Sequence, residues 1–266
     1  TDDYSNTSTC TFTVTVVDTT VPTISCASPP ASVEATSSAG AVVSWNSSQT
    51  TAADVADASV DVTYSATSGS TFAIGATTVT ATATDDASKT ATCSFTVTVT
   101  DNTDPTITCA HVDGTNTAVA SVEATSSSGA TVSYNAASAS DTGDASVDIS
   151  YSAASGSTFA IGTTVVTVTA EDNNDNTSTC TFNVVVTDNT DPAIVCPSAP
   201  ASVEATSSSG AAVSYSAASA TDTGDSSVDI TYSAASGSTF SIGTTVVTAT
   251  AEDDSGNTKS CTFSVV

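Results

Sequence analysis

The chain has 266 residues and a formal net charge of −26, from 28 acidic residues set against two lysines, with no arginine, leucine or methionine. So acidic a surface repels nucleic acid and anionic membranes, and no apolar run approaches the roughly 20 residues that a spanning helix needs. Seven cysteines at regular positions, without Cys-x-x-Cys spacing, indicate disulfides and therefore an oxidising, extracellular compartment.

In chain order, residues 1–17 come first. Their alternating run Thr11-Phe12-Thr13-Val14-Thr15-Val16 has the period of a half-buried strand. The segment repeats the ending of the chain, Glu252 to Val266, so it is expected to be the last strand of a further repeat. Two readings stay open. It is a truncated neighbour, or a strand that pairs with a sheet of another subunit and polymerises the chain. With no initiator methionine and no signal segment at its start, the chain is expected to be the interior of a longer precursor.

Three full repeats follow, expected over 18–100, 101–187 and 188–266. Their clearest mark is Gly-Ser-Thr-Phe-x-Ile-Gly at 69–75, 156–162 and 237–243, a period too long for a solenoid unit and right for a small all-β domain. Each repeat opens on a proline joint: Asp18 to Pro22, Asp101 to Pro105 and Asp188 to Pro192. Proline fixes φ and restrains the residue before it, so the joints are expected to be short and stiff. Strands are expected at Val60 to Tyr64, Val147 to Tyr151 and Val228 to Tyr232, at Val79 to Ala83, and at Ser94 to Val99. About seven per repeat predicts tandem immunoglobulin-like β-sandwiches. Trp45, Tyr134 and Tyr215 occupy one position, each on a strand after a glycine, and are expected to plug the cores.

Position within the repeat leaves two regular cysteine pairings. One joins Cys26 with Cys93, Cys109 with Cys180 and Cys196 with Cys261, leaving Cys10 for a cysteine outside the chain. The other joins neighbours across each joint. Bridged α-carbons lie within about 7 Å, whereas a mostly extended path of about sixteen residues spans far more, so the first is expected.

The joint, the cysteines and the run Gly237-Ser238-Thr239-Phe240-Ser241-Ile242-Gly243-Thr244-Thr245-Val246-Val247 together resemble the hyalin repeat (HYR) family, along with Asp101-Asn102-Thr103-Asp104-Pro105 at a repeat start. The resemblance covers nearly the whole chain. It implies an immunoglobulin-like module in adhesive or matrix proteins and no enzymatic activity. A mid-domain cysteine common in the family is missing after Asp141 and Asp222, which affects loops and not strands.

Asp101, Asn102 and Asp104, with Asp188, Asn189 and Asp191, could hold calcium, a cation that takes six to eight oxygen ligands, near turns carrying Asp172, Asp175, Asp253 and Asp254. The bland alternative is that these are turn formers bonding their own backbone. Glu34, Glu123 and Glu204 recur on what is expected to be a solvated strand face with no local partner. The sole histidine, His111, is expected in a loop; with no base beside a nucleophile and no cleft, no catalysis is expected. Asn6, Asn46 and Asn176 lie in Asn-x-Ser/Thr sequons and predict surface glycans. The function expected is a structural component of an extracellular fibre or matrix, self-associating or bound to other matrix proteins; the alternative is the stalk of a cell-surface adhesin or receptor.

Overall fold

A computed structural model describes residues 1–110 and 121–266; His111 lies outside them. Among the described residues the fold is all β, with one 3-10 turn at Ser47–Gln49, and no helix is long and apolar enough to cross a membrane. The chain divides into two compact units. One comprises Thr1–Asp104, Ser140–Ser146 and Asp172–Asn176, the other Pro105–Ala139, Val147–Glu171 and Thr177–Val266.

The first unit contains one complete set of strands: β1 (Thr23–Ser25), β2 (Val33–Glu34), β3 (Ala41–Val43), β4 (Thr51–Ala53), β5 (Asp61–Tyr64), β6 (Ser70–Phe72), β7 (Gly75–Thr84) and β8 (Thr90–Thr100). A four-stranded sheet runs β2-β8-β7-β5, and β3 pairs with β6 and β1 with β4. The long β7–β8 hairpin places Val79 opposite Phe95 and Ala81 opposite Cys93. Its alternation puts Val79, Ala81, Val97 and Val99 inside, where the valines cluster with Ala41 and Val43 of β3 and Phe72 of β6. Small alanines and stiff valines suit such a thin space. The strand beyond the expected seven is β2, which pairs parallel to the end of β8, Val33 opposite Val99.

The second unit repeats this plan. Asp148–Tyr151, Gly162–Glu171, Thr177–Thr187 and Ser121–Glu123 form a four-stranded sheet, while Asp229–Tyr232, Thr245–Glu252 and Thr258–Val265 form a three-stranded one. Each has its own core, built on Val166, Val168, Phe182 and Val184 in the first case and on Val247, Phe263 and Val265 in the second.

Trp45 lies just past β3 and not on it, yet is buried with its ring 5.3 Å from Phe95, edge to face. Tyr134 and Tyr215 meet Phe182 and Phe263 in the same way at 4.8 Å. The tyrosine hydroxyls donate to the carbonyls of Ala153 and Ala234, whereas the Trp45 indole N–H is buried without a partner.

The expected strand at Thr11 to Val16 does not form, and Phe12, Val14 and Val16 are exposed. The reason is pairing. The matching strand β8 is held along its whole length by β7, and residues 1–10 supply no such partner.

Candidate metal centre at the joints

The three bridges join Cys26 to Cys93, Cys109 to Cys180 and Cys196 to Cys261, with α-carbons 5.7, 5.8 and 5.8 Å apart. Cys10 is exposed and free. Each bridge fixes the strand that follows a proline joint to the closing strand of the same sandwich, so its two ends are held together.

Two such joints gather carboxylates. Asp101 ends the extended run of β8, Asp141 opens a turn, and Asp172 closes a strand; all three belong to the first unit. Their oxygens lie within 4.8 Å of one another, as do those of Asp188, Asp222 and Asp253 in the second unit. Asp101 and Asp188 are 5% and 7% exposed, and one oxygen of each has no hydrogen-bond partner. Asp141 and Asp222 also keep one unpartnered buried oxygen.

The remaining oxygens are aimed by the backbone. Gly143 N–H and Asp144 N–H donate to Asp141 Oδ1 at 2.6 and 3.2 Å, and Thr103 N–H donates to Asp101 Oδ1 at 3.2 Å. Asn176 Nδ2 donates both to Asp172 Oδ2 at 2.8 Å and to the backbone oxygen of Asp101 at 3.2 Å. Asn257 does the same for Asp253 and Asp188, at 2.8 and 3.1 Å. Glycine leaves the room beneath each cluster: with the carboxylates where they lie, a Cβ on Gly143 or Gly224 would overlap that of Asp101 or Asp188.

Burial lifts Asp101 above the usual aspartate range; donation by Thr103 offsets part of this, and the charges of Asp141 and Asp172 add to it. Asp188 is raised for the same reasons, with Asp222 and Asp253 as its neighbours. Asp172 goes the other way. Burial pushes it up, but donation from the Asn176 side chain and backbone and from Asn174 outweighs that, so it falls below the usual range. Two carboxylates within 4.8 Å repel by at least about 3 kcal/mol at an effective dielectric near 20. A proton or a cation would relieve this repulsion. Calcium binds oxygens at about 2.3–2.6 Å, so two of its ligands span up to about 5 Å, and the clusters fit that size and hard-oxygen chemistry.

The other residues picked out from the sequence have different surroundings. Asn102 N–H and Nδ2 donate to Glu34 at 2.5 and 2.8 Å, and Asn189 makes the same pair to Glu123 at 2.7 and 2.8 Å. No local partner is expected for Glu34 and Glu123, and the partners found are distant in sequence, 68 and 66 residues along the chain. Chain contacts bring the joint onto the end of the strand, and backbone donation first, then the amide, holds both glutamates below their usual range. Asp104 is exposed, and Asp191 pairs with Lys259 at 3.2 Å. Asp141 and Asp222 were missed; their signal is Asp-Thr-Gly-Asp, present at 141–144 and 222–225 but replaced by Asp-Val-Ala-Asp at 54–57. Asn6 and Asn46 are exposed, whereas Asn176 commits its amide to the joint, so a glycan there and the closed cluster exclude each other.

The HYR domain model matches residues 17–99, 100–186 and 187–266. Hyalin of Strongylocentrotus purpuratus is 36% identical over 264 residues, covering 96% of this chain and 22% of that protein. Hyalin of Lytechinus variegatus is 31% identical over 274 residues, covering 100% of this chain and 50% of that protein. The chain thus spans half or less of the curated relatives it matches. Among solved structures, protocadherin gammaB7 EC3-6 gives a TM-score of 0.35 at 15% identity over 92% of this chain and 77% of that one. Mouse cadherin-23 EC22-24 gives 0.32 at 14% over 92% and 97%. Both structural likenesses are slight.

Proposed function

The chain belongs to the HYR domain family, and from that premise we propose that it is a stretch of a non-catalytic extracellular matrix or adhesion protein whose joints at Asp101 and Asp188 are closed by a divalent cation, calcium by size. The observation that carries the cation is the pair of carboxylate clusters, whose oxygens approach within 4.8 Å and in each of which two aspartates keep a buried oxygen without a hydrogen-bond partner. Asp101, Asp141 and Asp172 would hold one ion, and Asp188, Asp222 and Asp253 the other. An ion there neutralises charge that otherwise pushes the joint apart, and so ties the joint to the loops that supply Asp141 and Asp172. The family match and the three disulfides support an extracellular location. The same reading divides the chain into repeats at 18–100, 101–187 and 188–266.

Thermal unfolding with added calcium and with chelator tests it. Millimolar calcium is expected to raise the melting temperature, and Asp101→Asn together with Asp188→Asn to remove most of the rise. A melting temperature indifferent to both calcium and chelator refutes the cation.

Assembly into a fibre is the finer part of the proposal. Residues 1–17 support it, with Phe12, Val14 and Val16 alternating on an unpaired segment at 85%, 73% and 92% exposure. Each repeat already holds its own closing strand, so this segment would add to a sheet edge of a second copy and not replace a strand. Electron microscopy separates the alternatives: fibres lost on deleting residues 1–17 support strand addition, and discrete particles from the intact chain favour an adhesin or receptor stalk.

A further inference from the structure

The first joint is built from counterparts of the same residues. Asp18, Asp54 and Asp85 stand where the others have Asp101, Asp141 and Asp172, yet among the described residues they form no such cluster. Two neighbouring positions differ. Ala56 stands in place of Gly143 and Gly224, and Lys89 in place of Asn176 and Asn257.

Both differences act on the ligand cradle. Because a Cβ on Gly143 or Gly224 would overlap the buried carboxylate above it, the real Cβ of Ala56 bars Asp18 from that seat. Asp18 is accordingly only half-buried and turns to Thr20, whose N–H and hydroxyl donate to Asp18 Oδ1 at 3.0 and 2.6 Å. That hydroxyl also lies 3.3 Å from Asp54 Oδ1, so Thr20 links the two carboxylates. Lys89 keeps the backbone bond that Asn176 makes, its N–H donating to Asp85 Oδ1 at 2.6 Å. It brings no amide, so Asp85 Oδ2 is left buried and unpartnered. It brings instead a fixed positive charge, which joins the Thr20 bonds in holding Asp18 below the usual aspartate range.

We infer that the residues at 56/143/224 and 89/176/257 decide which joints take a cation, so that the joints at Asp101 and Asp188 respond to calcium while the joint at Asp18 does not. This rests on the cation reading above. It makes calcium a selective control: chelation loosens two joints and leaves the first as it was. A glycine provides room for the buried carboxylate, and an asparagine ties that strand to its neighbour by donating to both. Alanine and lysine remove the room and supply the charge from within the chain.

Calorimetric calcium titration of the intact chain, Ala56→Gly/Lys89→Asn and Gly143→Ala tests it, with circular dichroism reporting that each variant is folded. The double variant is expected to gain one site over the parent, and Gly143→Ala to lose one. A parent that binds at the Asp188 and Asp101 clusters while the double variant gains nothing overturns the inference and leaves the cation reading standing. A parent that already binds at all three joints also overturns it. No binding to any of the proteins overturns the cation reading itself. Hydrogen exchange gives the independent readout: the amides of Gly143 and Gly224 should become less protected in chelator, and that of Ala56 should not change. Equal loss at Ala56 counts against selectivity.

Discussion

Removing the first bridge by Cys26→Ala/Cys93→Ala has a cost that follows from chain length. The two residues are 67 apart, and closing a loop of that size removes about 4 kcal/mol of unfolded-chain entropy. At about 1.4 kcal/mol per tenfold, the folded-to-unfolded ratio should fall by roughly a thousandfold, against a total stability of about 5–15 kcal/mol for an ordinary domain. The probe is already in place, because Trp45 is the chain's single tryptophan and lies in the core beside this bridge. Urea unfolding followed by tryptophan fluorescence should show a lower midpoint, with a steeper denaturant dependence as the unlinked chain expands more on unfolding. The other bridges close 71 and 65 residues, which differ from the first by only about 0.1 kcal/mol of loop entropy. Cys196→Ala/Cys261→Ala should therefore destabilise its own sandwich about equally while leaving the Trp45 transition unmoved. A cost under about 1 kcal/mol for the first pair would refute the account of the bridge as the main restraint on a thin core, and a shift of the Trp45 transition by the distant pair would refute independent folding.

Two further outcomes follow from the geometry. Gly129 has φ of +103° and an added Cβ would strike the Phe159 carbonyl, whereas Gly162 has φ of +112° with open space around it; Gly162→Ala should cost about 1–2 kcal/mol from backbone strain alone, and Gly129→Ala clearly more, in thermal unfolding. Equal costs would remove the steric argument. The lowered pKa of Glu123, caused by donation from Asn189, means that its contribution to stability is present above the ordinary glutamate range and is lost as pH falls through the lower folded value. Glu123→Gln should flatten stability against pH in that acidic window, measured by urea midpoints in chelator, and an unchanged profile would show that the bond is not holding the joint.

Much of the fold was legible because β structure writes itself locally. Alternation along Ser94 to Val99 sets which side chains go inside once the strand is paired, and the repeated Gly-Ser-Thr-Phe-x-Ile-Gly run gives the period. Thr11 to Val16 has the same alternation and forms no strand, since a strand also needs a neighbour for its backbone bonds. The site was harder to read. Asp101 stands out beside its proline, but Asp141 and Asp172 are dozens of residues away, and nothing local says that a turn and a strand end will converge on it. Asn102 and Asp104 looked like ligands by adjacency; the extended backbone turns Asn102 toward Glu34 and leaves Asp104 in solvent.

By itself, then, the sequence determined the all-β class, the repeat and the strand faces, because those depend on side-chain period and on residue types within a few positions. The tertiary structure alone decided which carboxylates share a cluster, where Glu34 and Glu123 find their partners, and why Ala56 differs in consequence from Gly143. Those outcomes depend on distances of a few ångströms between segments far apart in the chain, which are set only when the sheets have packed.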